Sequence, residues 1–354
     1  MLRTIPFFVP HFLKCLPTTQ TSRYGRRYAT VSPSIVWQSH LSGPPRGDFT
    51  EVPSRLDSHI LQATSVGDHT SLPDIIKQYI ETSGSVLEAS LPYESRPSET
   101  RRPKLENTPD SCNNVIIVAH CARFGSEHKV ILSSGFALNV QGARADYETL
   151  ILTCAHTLEE IRQSPALLSG LTLQFLMKYT GTFIVAGSSD SVKVHPVSRV
   201  VSALPRSDLL LLSSRLPPDT VNTLPVSPYP AHKETPVRAH FVSHQKPAGP
   251  GWTPWIGDTW GKWQIGKILG YRDFAGRETE PGTYDALSHL FFTPLPTAGS
   301  SGGPIIDEES GAVVGVMLGT RMDSDHVVKG VRGWGVPSES IFEMFTLPGL
   351  AGKK

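Results

Sequence analysis

No Asp or Glu occurs before Asp48, although Arg3, Lys14, Arg23, Arg26, Arg27 and Arg46 lie in that stretch among several Ser and Thr residues. An acid-free, basic, hydroxyl-rich start has the composition of a mitochondrial transit peptide. The segment RRYAT offers a processing site between Tyr28 and Ala29. A secretory leader is the alternative, but Pro6, Pro10, His11 and Lys14 interrupt its apolar segment. Cleavage after Tyr28 leaves 28 basic against 32 acidic residues, a mildly acidic chain. Cysteine is scarce as well: Cys15, Cys112, Cys121 and Cys154. With Cys15 removed, three thiols cannot form a complete disulfide framework, which favours a reducing compartment. Cys112 and Cys121 read as small buried apolar residues, with a bridge between them as the alternative. No apolar run approaches the ~18–20 residues that span a bilayer, so the mature chain is expected to be soluble. The formal charge is +1 and the basic residues cluster only at the N-terminus, so nothing points to nucleic acid.

What the chain does have is punctuation. Pro and Gly each occur 30 times in 354 residues, and 39% of the residues are apolar, enough for a core cut into short elements. One amphipathic helix is expected in SLPDIIKQYIETSG (71–84), with Ser71 as N-cap, Pro73 in the first turn and Gly84 as stop. Residues 92–110, rich in Pro and charge, read as a flexible linker. From residue 111 short apolar runs alternate with turns: VIIVAH, KVILSSGFALNV, ETLILTCAH, LTLQFLMKY, TFIVAG and DLLLLSS. After a Pro-rich connection at 216–236 come PVRAHFVSH, WQIGKIL, HLFFTPL, GPIID, GAVVGVML and GWGVP. Many short strands with little helix indicate an all-β protein in two halves.

Three motifs carry chemistry. TAGSSGGPI (297–305) presents Ser301 between Gly299, Gly302 and Gly303, the composition of a tight turn whose N–H groups can receive an oxyanion. The donors would be the amides of Gly299 and Ser301. A serine needs a base, and that base needs an orienting group. ETLILTCAH ends an apolar strand at His156, and PRSDLLLLSS places Asp208 before four leucines. The bland readings are a Gly/Ser loop, a strand-end histidine and a turn aspartate. The order His156, Asp208, Ser301 is that of the two-barrel proteases, not of subtilisin or the α/β-hydrolases.

Taken together, residues 111–346 resemble a trypsin/chymotrypsin-like serine peptidase domain, with most likeness to the HtrA/Deg branch. LTCAH resembles that family's L-T-x-A-H. SDLLLL resembles its aspartate strand, GSSGGPI its G-N-S-G-G-P-L, and GAVVGVML and GWGVPS its pocket-bordering segments. The resemblance implies two antiparallel six-stranded barrels, a His-Asp-Ser triad working through an acyl-enzyme, peptide substrates, and no cofactor or metal. It implies a division into a transit peptide (1–28), an extension and linker with one helix (29–110), a first barrel (111–225) and a second (226–354). By the same resemblance Leu295 lies at the base of the substrate pocket. Leu318, Gly319, Thr320, Gly333 and Trp334 line its walls, which favours an apolar residue before the cleaved bond. Ser300 stands where zymogen-type members carry an aspartate, so insertion of a new N-terminus has no partner. No PDZ segment follows GWGVPS, so trimer formation is not implied and oligomeric state stays open. A catalytically silent binding or scaffold protein on the same fold is the competing reading.

Two further clusters invite a functional reading. Trp252, Trp255, Trp260 and Trp263 either form a peptide-holding rim or close the end of the second barrel. His232, His240 and His244 lack the helical spacing expected of a metal site.

Overall fold

The computed structural model describes residues 52–106, 113–141, 148–164, 179–282, 287–323 and 330–347. The basic leader and all but Tyr179 of the run at 171–179 lie outside these residues, as does Cys112.

Two closed barrels carry the fold. The first is built from β1 (Ile116–Phe124), β2 (Glu127–Leu138), β3 (Thr149–Cys154), β4 (Thr180–Gly187), β5 (Val192–Leu204) and β6 (Leu209–Ser214). They pair antiparallel in the order β1-β4-β5-β6-β3-β2, and β1 pairs with β2 to close the ring. A short β7 (Thr223–Leu224) adds to β2 in parallel. The second barrel follows β8 (Pro236–Ser243), the short β9 (Thr253–Pro254), β10 (Trp260–Arg272), the short β11 (Glu278–Thr279), β12 (His289–Thr293), β13 (Pro304–Asp307), β14 (Val313–Asp323) and β15 (Gly330–Pro337). Its ring runs β10-β12-β15-β14-β13-β8 and closes through β10 and β8, while β9 and β11 hang on β10. This is the two six-stranded-barrel architecture expected above.

Both interiors follow from strand alternation. Val118, Ile131, Ile151, Ile184, Val200, Leu210 and Leu212 fill the first core, and Phe241, Ile268, Leu290, Phe292, Ile305 and Met317 the second. β5 was not anticipated. Its sequence VKVHPVSRVVSAL exposes one face and carries Pro196, so its apolar residues do not form a run.

Among the described residues the extension before the barrels holds two α-helices, one more than expected. α1 (Arg55–Val66) is capped by Ser54 and Asp57 in a reciprocal capping box and stopped by Gly67 at φ 78°. α2 (Leu72–Glu81) is capped by Ser71, which accepts the amide of Asp74. Leu56 and Ile60 of α1 are buried, as are Leu72, Ile75 and Tyr79 of α2, the last three within the first core. The Leu56 amide also donates to Asp258 Oδ1 of the Trp-rich segment at 3.0 Å.

The segment read as a flexible linker is instead fastened over 92–106. Arg101 grips Glu94 through two N–H···O bonds of 3.0 Å each and donates to the Thr223 carbonyl at 3.1 Å. The Glu94 amide reaches the Val226 carbonyl at 3.0 Å, and the Leu105 carbonyl accepts from Arg238 at 2.9 Å. Charge in this stretch makes internal forks, which composition alone presents as solvation. No helix among the described residues is long and apolar enough to cross a membrane.

Candidate active site

β3 ends at Cys154, and α3 (His156–Arg162) begins at once, so His156 sits at the strand-to-helix corner. β6 lies against β3, with Cys154 opposite Leu209, and this brings Asp208 to the same corner. Asp208 follows a 3-10 turn and adopts φ 54°, a left-handed conformation that Asp tolerates better than most residues. One carboxylate oxygen accepts the amides of Ala155 at 2.9 Å and His156 at 2.7 Å. The other meets His156 Nδ1 at 2.6 Å. The imidazole is thus presented with Nδ1 on the acid and Nε2 turned away from it. Burial disfavours the charged ring, but the adjoining Asp208 carboxylate outweighs this and holds the His156 pKa well above its ordinary value.

The Ser301 turn is stitched to both barrels. Ser134 of β2 donates its amide to the Ser301 carbonyl and its hydroxyl to the Gly299 carbonyl, both at 2.8 Å. The Gly302 amide donates to Met317 of β14 at 2.7 Å. Gly302 has φ 84°, and a Cβ there would lie 2.3 Å from the Ser134 carbonyl and 2.7 Å from the Cys154 amide, so no side chain fits. This packing places the turn against the strand end that carries His156. The Ser301 hydroxyl donates to the Leu318 carbonyl at 3.0 Å. Among the described residues the amides of Gly299 and Ser301 have no acceptor, which leaves two donors flanking the serine.

Ser300 is fully buried, and its hydroxyl accepts the Val242 amide at 3.0 Å and bonds Thr297 Oγ1 at 2.9 Å. These internal bonds hold the turn without the aspartate that zymogen-type relatives use. The expected pocket residues split. Gly319 pairs with Trp334 and Thr320 with Gly333 across β14 and β15, next to the buried Leu318, whereas Leu295 is 37% exposed.

Several further residues surround the site. Tyr79 of α2 is buried in the first core together with Leu158 and Ile161 of α3, and burial, then the nearby Glu159 carboxylate, pushes its phenol pKa up. Helix α2 therefore braces the helix that His156 begins. Cys154 Sγ lies 3.7 Å from His156 Nε2 and is a free, buried thiol, as is Cys121. His289 stacks on Trp334 with centroids 4.9 Å apart. The amphipathic spacing of α2 was visible in the sequence, but no motif marked its partner Glu159. Of the tryptophans, Trp255 and Trp263 are buried on either side of His240, with centroids 4.6 and 5.1 Å away. Burial pushes His240 down to about 3. Trp260 is half-buried and carries Lys246 over its ring at 5.3 Å.

Fold and site together define a two-barrel peptidase class. The family model of the trypsin-like peptidase domain matches residues 133–316, and the chain belongs to that family. No curated protein matches the sequence significantly. Among solved structures the chain is similar to Deg5, at 14% identity and TM-score 0.39, over 65% of this chain and 86% of that one. It is similar to the MamO protease domain from Magnetospirillum magneticum at 14% identity and TM-score 0.39, over 65% and 94%. It is also similar to the Rv3671c protease from M. tuberculosis at 19% identity and TM-score 0.38, over 74% and 93%.

Proposed function

We propose that the protein is a serine endopeptidase in which Ser301 attacks the peptide carbonyl, His156 acts as general base and then general acid, and Asp208 orients the imidazole. The observation that carries this reading is the 2.6 Å contact of His156 Nδ1 with an Asp208 carboxylate that two further amides hold in place. In the attack the Ser301 proton passes to His156 Nε2 while Oγ bonds the carbonyl carbon. The oxyanion that forms is received by the amides of Gly299 and Ser301. Collapse expels the amine, which takes the proton from His156, and leaves an acyl-enzyme on Ser301 that water hydrolyses. Reaching His156 requires the Ser301 hydroxyl to leave the Leu318 carbonyl. Leu295, read as the base of the pocket, and Leu318, Gly319, Thr320, Gly333 and Trp334, read as its walls, carry no carboxylate, which supports an apolar residue before the cleaved bond. The basic leader supports a mitochondrial destination, which N-terminal sequencing of the protein recovered from cells tests.

Cleavage of a mixed peptide library by the full chain and by Ser301→Ala tests the activity. Products from the wild type alone, with Val, Leu or Ala before the cut, support the reading. Equal products from both proteins, or none from either, would contradict it and favour a binding role for the fold.

A further inference from the structure

We propose that the outer face of β14 and β15 selects acidic substrates, with Arg321 and Arg332 receiving a Glu or Asp side chain about three residues upstream of the cleaved bond. This inference rests on the peptidase reading of the same site.

The face is defined by strand alternation. Gly333 and Gly335 turn inward, where a Cβ would meet Phe292 and Ile305, so Arg332 and Trp334 turn outward. Register places Gly319 opposite Trp334 and Arg321 opposite Arg332. Like charges directly opposite on adjacent strands are unfavourable, and such pairs cost stability unless something else uses them. Arg321 is exposed and Arg332 half-buried, and among the described residues neither makes an ion pair. Arg321 is not loose, however. Its guanidinium lies over the Trp334 ring at 5.3 Å, which fixes its position while leaving its N–H groups to bind a carboxylate.

The strip leads into the active site. Trp334 stacks on His289, and His289 lies within electrostatic reach of both Arg321 and Asp208. Burial comes first and Arg321 second in pushing the His289 pKa down to about 4, against the opposing pull of Asp208. The imidazole is therefore neutral at pH 7 and does not add to the charge of the strip. Along β14, Leu318 holds the Ser301 hydroxyl, and Arg321 follows three positions later. At about 3.3 Å per residue this is about 10 Å, the span of three residues of an extended substrate. Because Thr320 and Gly333 belong to the pocket for the residue before the bond, the strip continues on the acyl side. Trp334 is buried beneath Arg321 and serves to position that guanidinium, whose charge suits an acid.

Two fluorogenic peptides test this, identical except for Glu or Gln at the third and fourth residues before a Val that precedes the cut. Wild-type kcat/KM should favour the Glu peptide by about five- to tenfold, the scale of one or two partly exposed charge pairs. The ratio should fall towards one in Arg321→Gln and in Arg332→Gln, keep an intermediate value in Arg321→Lys, and shrink at about 0.5 M salt. Equal rates in the wild type would overturn the proposal. So would a Glu preference that survives both substitutions. Binding of the same labelled peptides to Ser301→Ala, read by fluorescence anisotropy, separates the two claims. Tighter binding of the Glu peptide without wild-type cleavage supports the basic strip while the peptidase reading fails. Cleavage without discrimination does the reverse.

Discussion

The two barrels contribute to the site in different ways. The first supplies a finished pair: Asp208 is anchored by two amides, His156 by Asp208, and α3 by Tyr79 from the extension. The second supplies a turn whose backbone is fixed by Ser134, Met317 and the Ser300 hydroxyl, while the Ser301 hydroxyl rests on the Leu318 carbonyl. Rigidity in the first half comes from charge, and in the second from backbone hydrogen bonds. On the proposed reading, the base is oriented before substrate arrives, whereas the Ser301 hydroxyl must first leave the Leu318 carbonyl.

The extension breaks the comparison most severely, because its second helix packs into the first core while other parts of it bond the second half. Deleting residues 1–106 removes the buried Leu56, Ile60, Leu72, Ile75, Tyr79 and Leu91. At about 2–5 kcal/mol for each large core truncation, the loss exceeds the ~5–15 kcal/mol of a typical domain. The truncated chain should fail to fold, with no cooperative thermal transition by circular dichroism. An active truncated protein would show that the extension is a removable pro-segment. Next in size is Asp208→Asn, which keeps the amide contacts but favours the wrong imidazole tautomer. A kcat fall of about 10⁴-fold is expected with the fold intact. Within the second half, Ser300→Ala leaves the Val242 amide without its acceptor. It should cost about 1–3 kcal/mol in urea unfolding. The smallest effect is expected from Tyr79→Phe, which removes one hydroxyl and about 1 kcal/mol.

The same division explains what was legible in sequence. LTCAH, SDLLLL and GSSGGPI are local strings, each fixed by backbone demands within a few residues, so the triad candidates and the two-barrel fold could be read directly. What could not be read is non-local. β5 alternates between faces and contains Pro196, so it lacks the apolar run that marks its neighbours. α1 carries a capping box, but only Leu56, Ile60 and Leu61 of its apolar residues are buried, so its stripe is thin. The segment 92–106 looked solvated because its charges are paired at a sequence distance of seven, as in Arg101 with Glu94, and its contact with Thr223 is farther still. Ser134 lies within the run KVILSSGFALNV, but nothing local marks the contacts that it makes. Its importance arises only when β2 meets the Ser301 turn.

The central claim is that the preformed His156–Asp208 pair activates Ser301, and the rate of fluorophosphonate labelling across pH tests it most directly. Because Asp208 raises the His156 pKa above 6.5, the neutral base forms only as pH rises through that higher value. The associated stabilisation has the opposite sign: it is full below about pH 6.5 and lost as pH rises through the folded-state pKa. Labelling should therefore climb through an apparent pKa above 6.5, map to Ser301 by mass spectrometry, and disappear in His156→Ala. A pH-independent rate, an adduct on another residue, or unchanged labelling in His156→Ala would contradict the account.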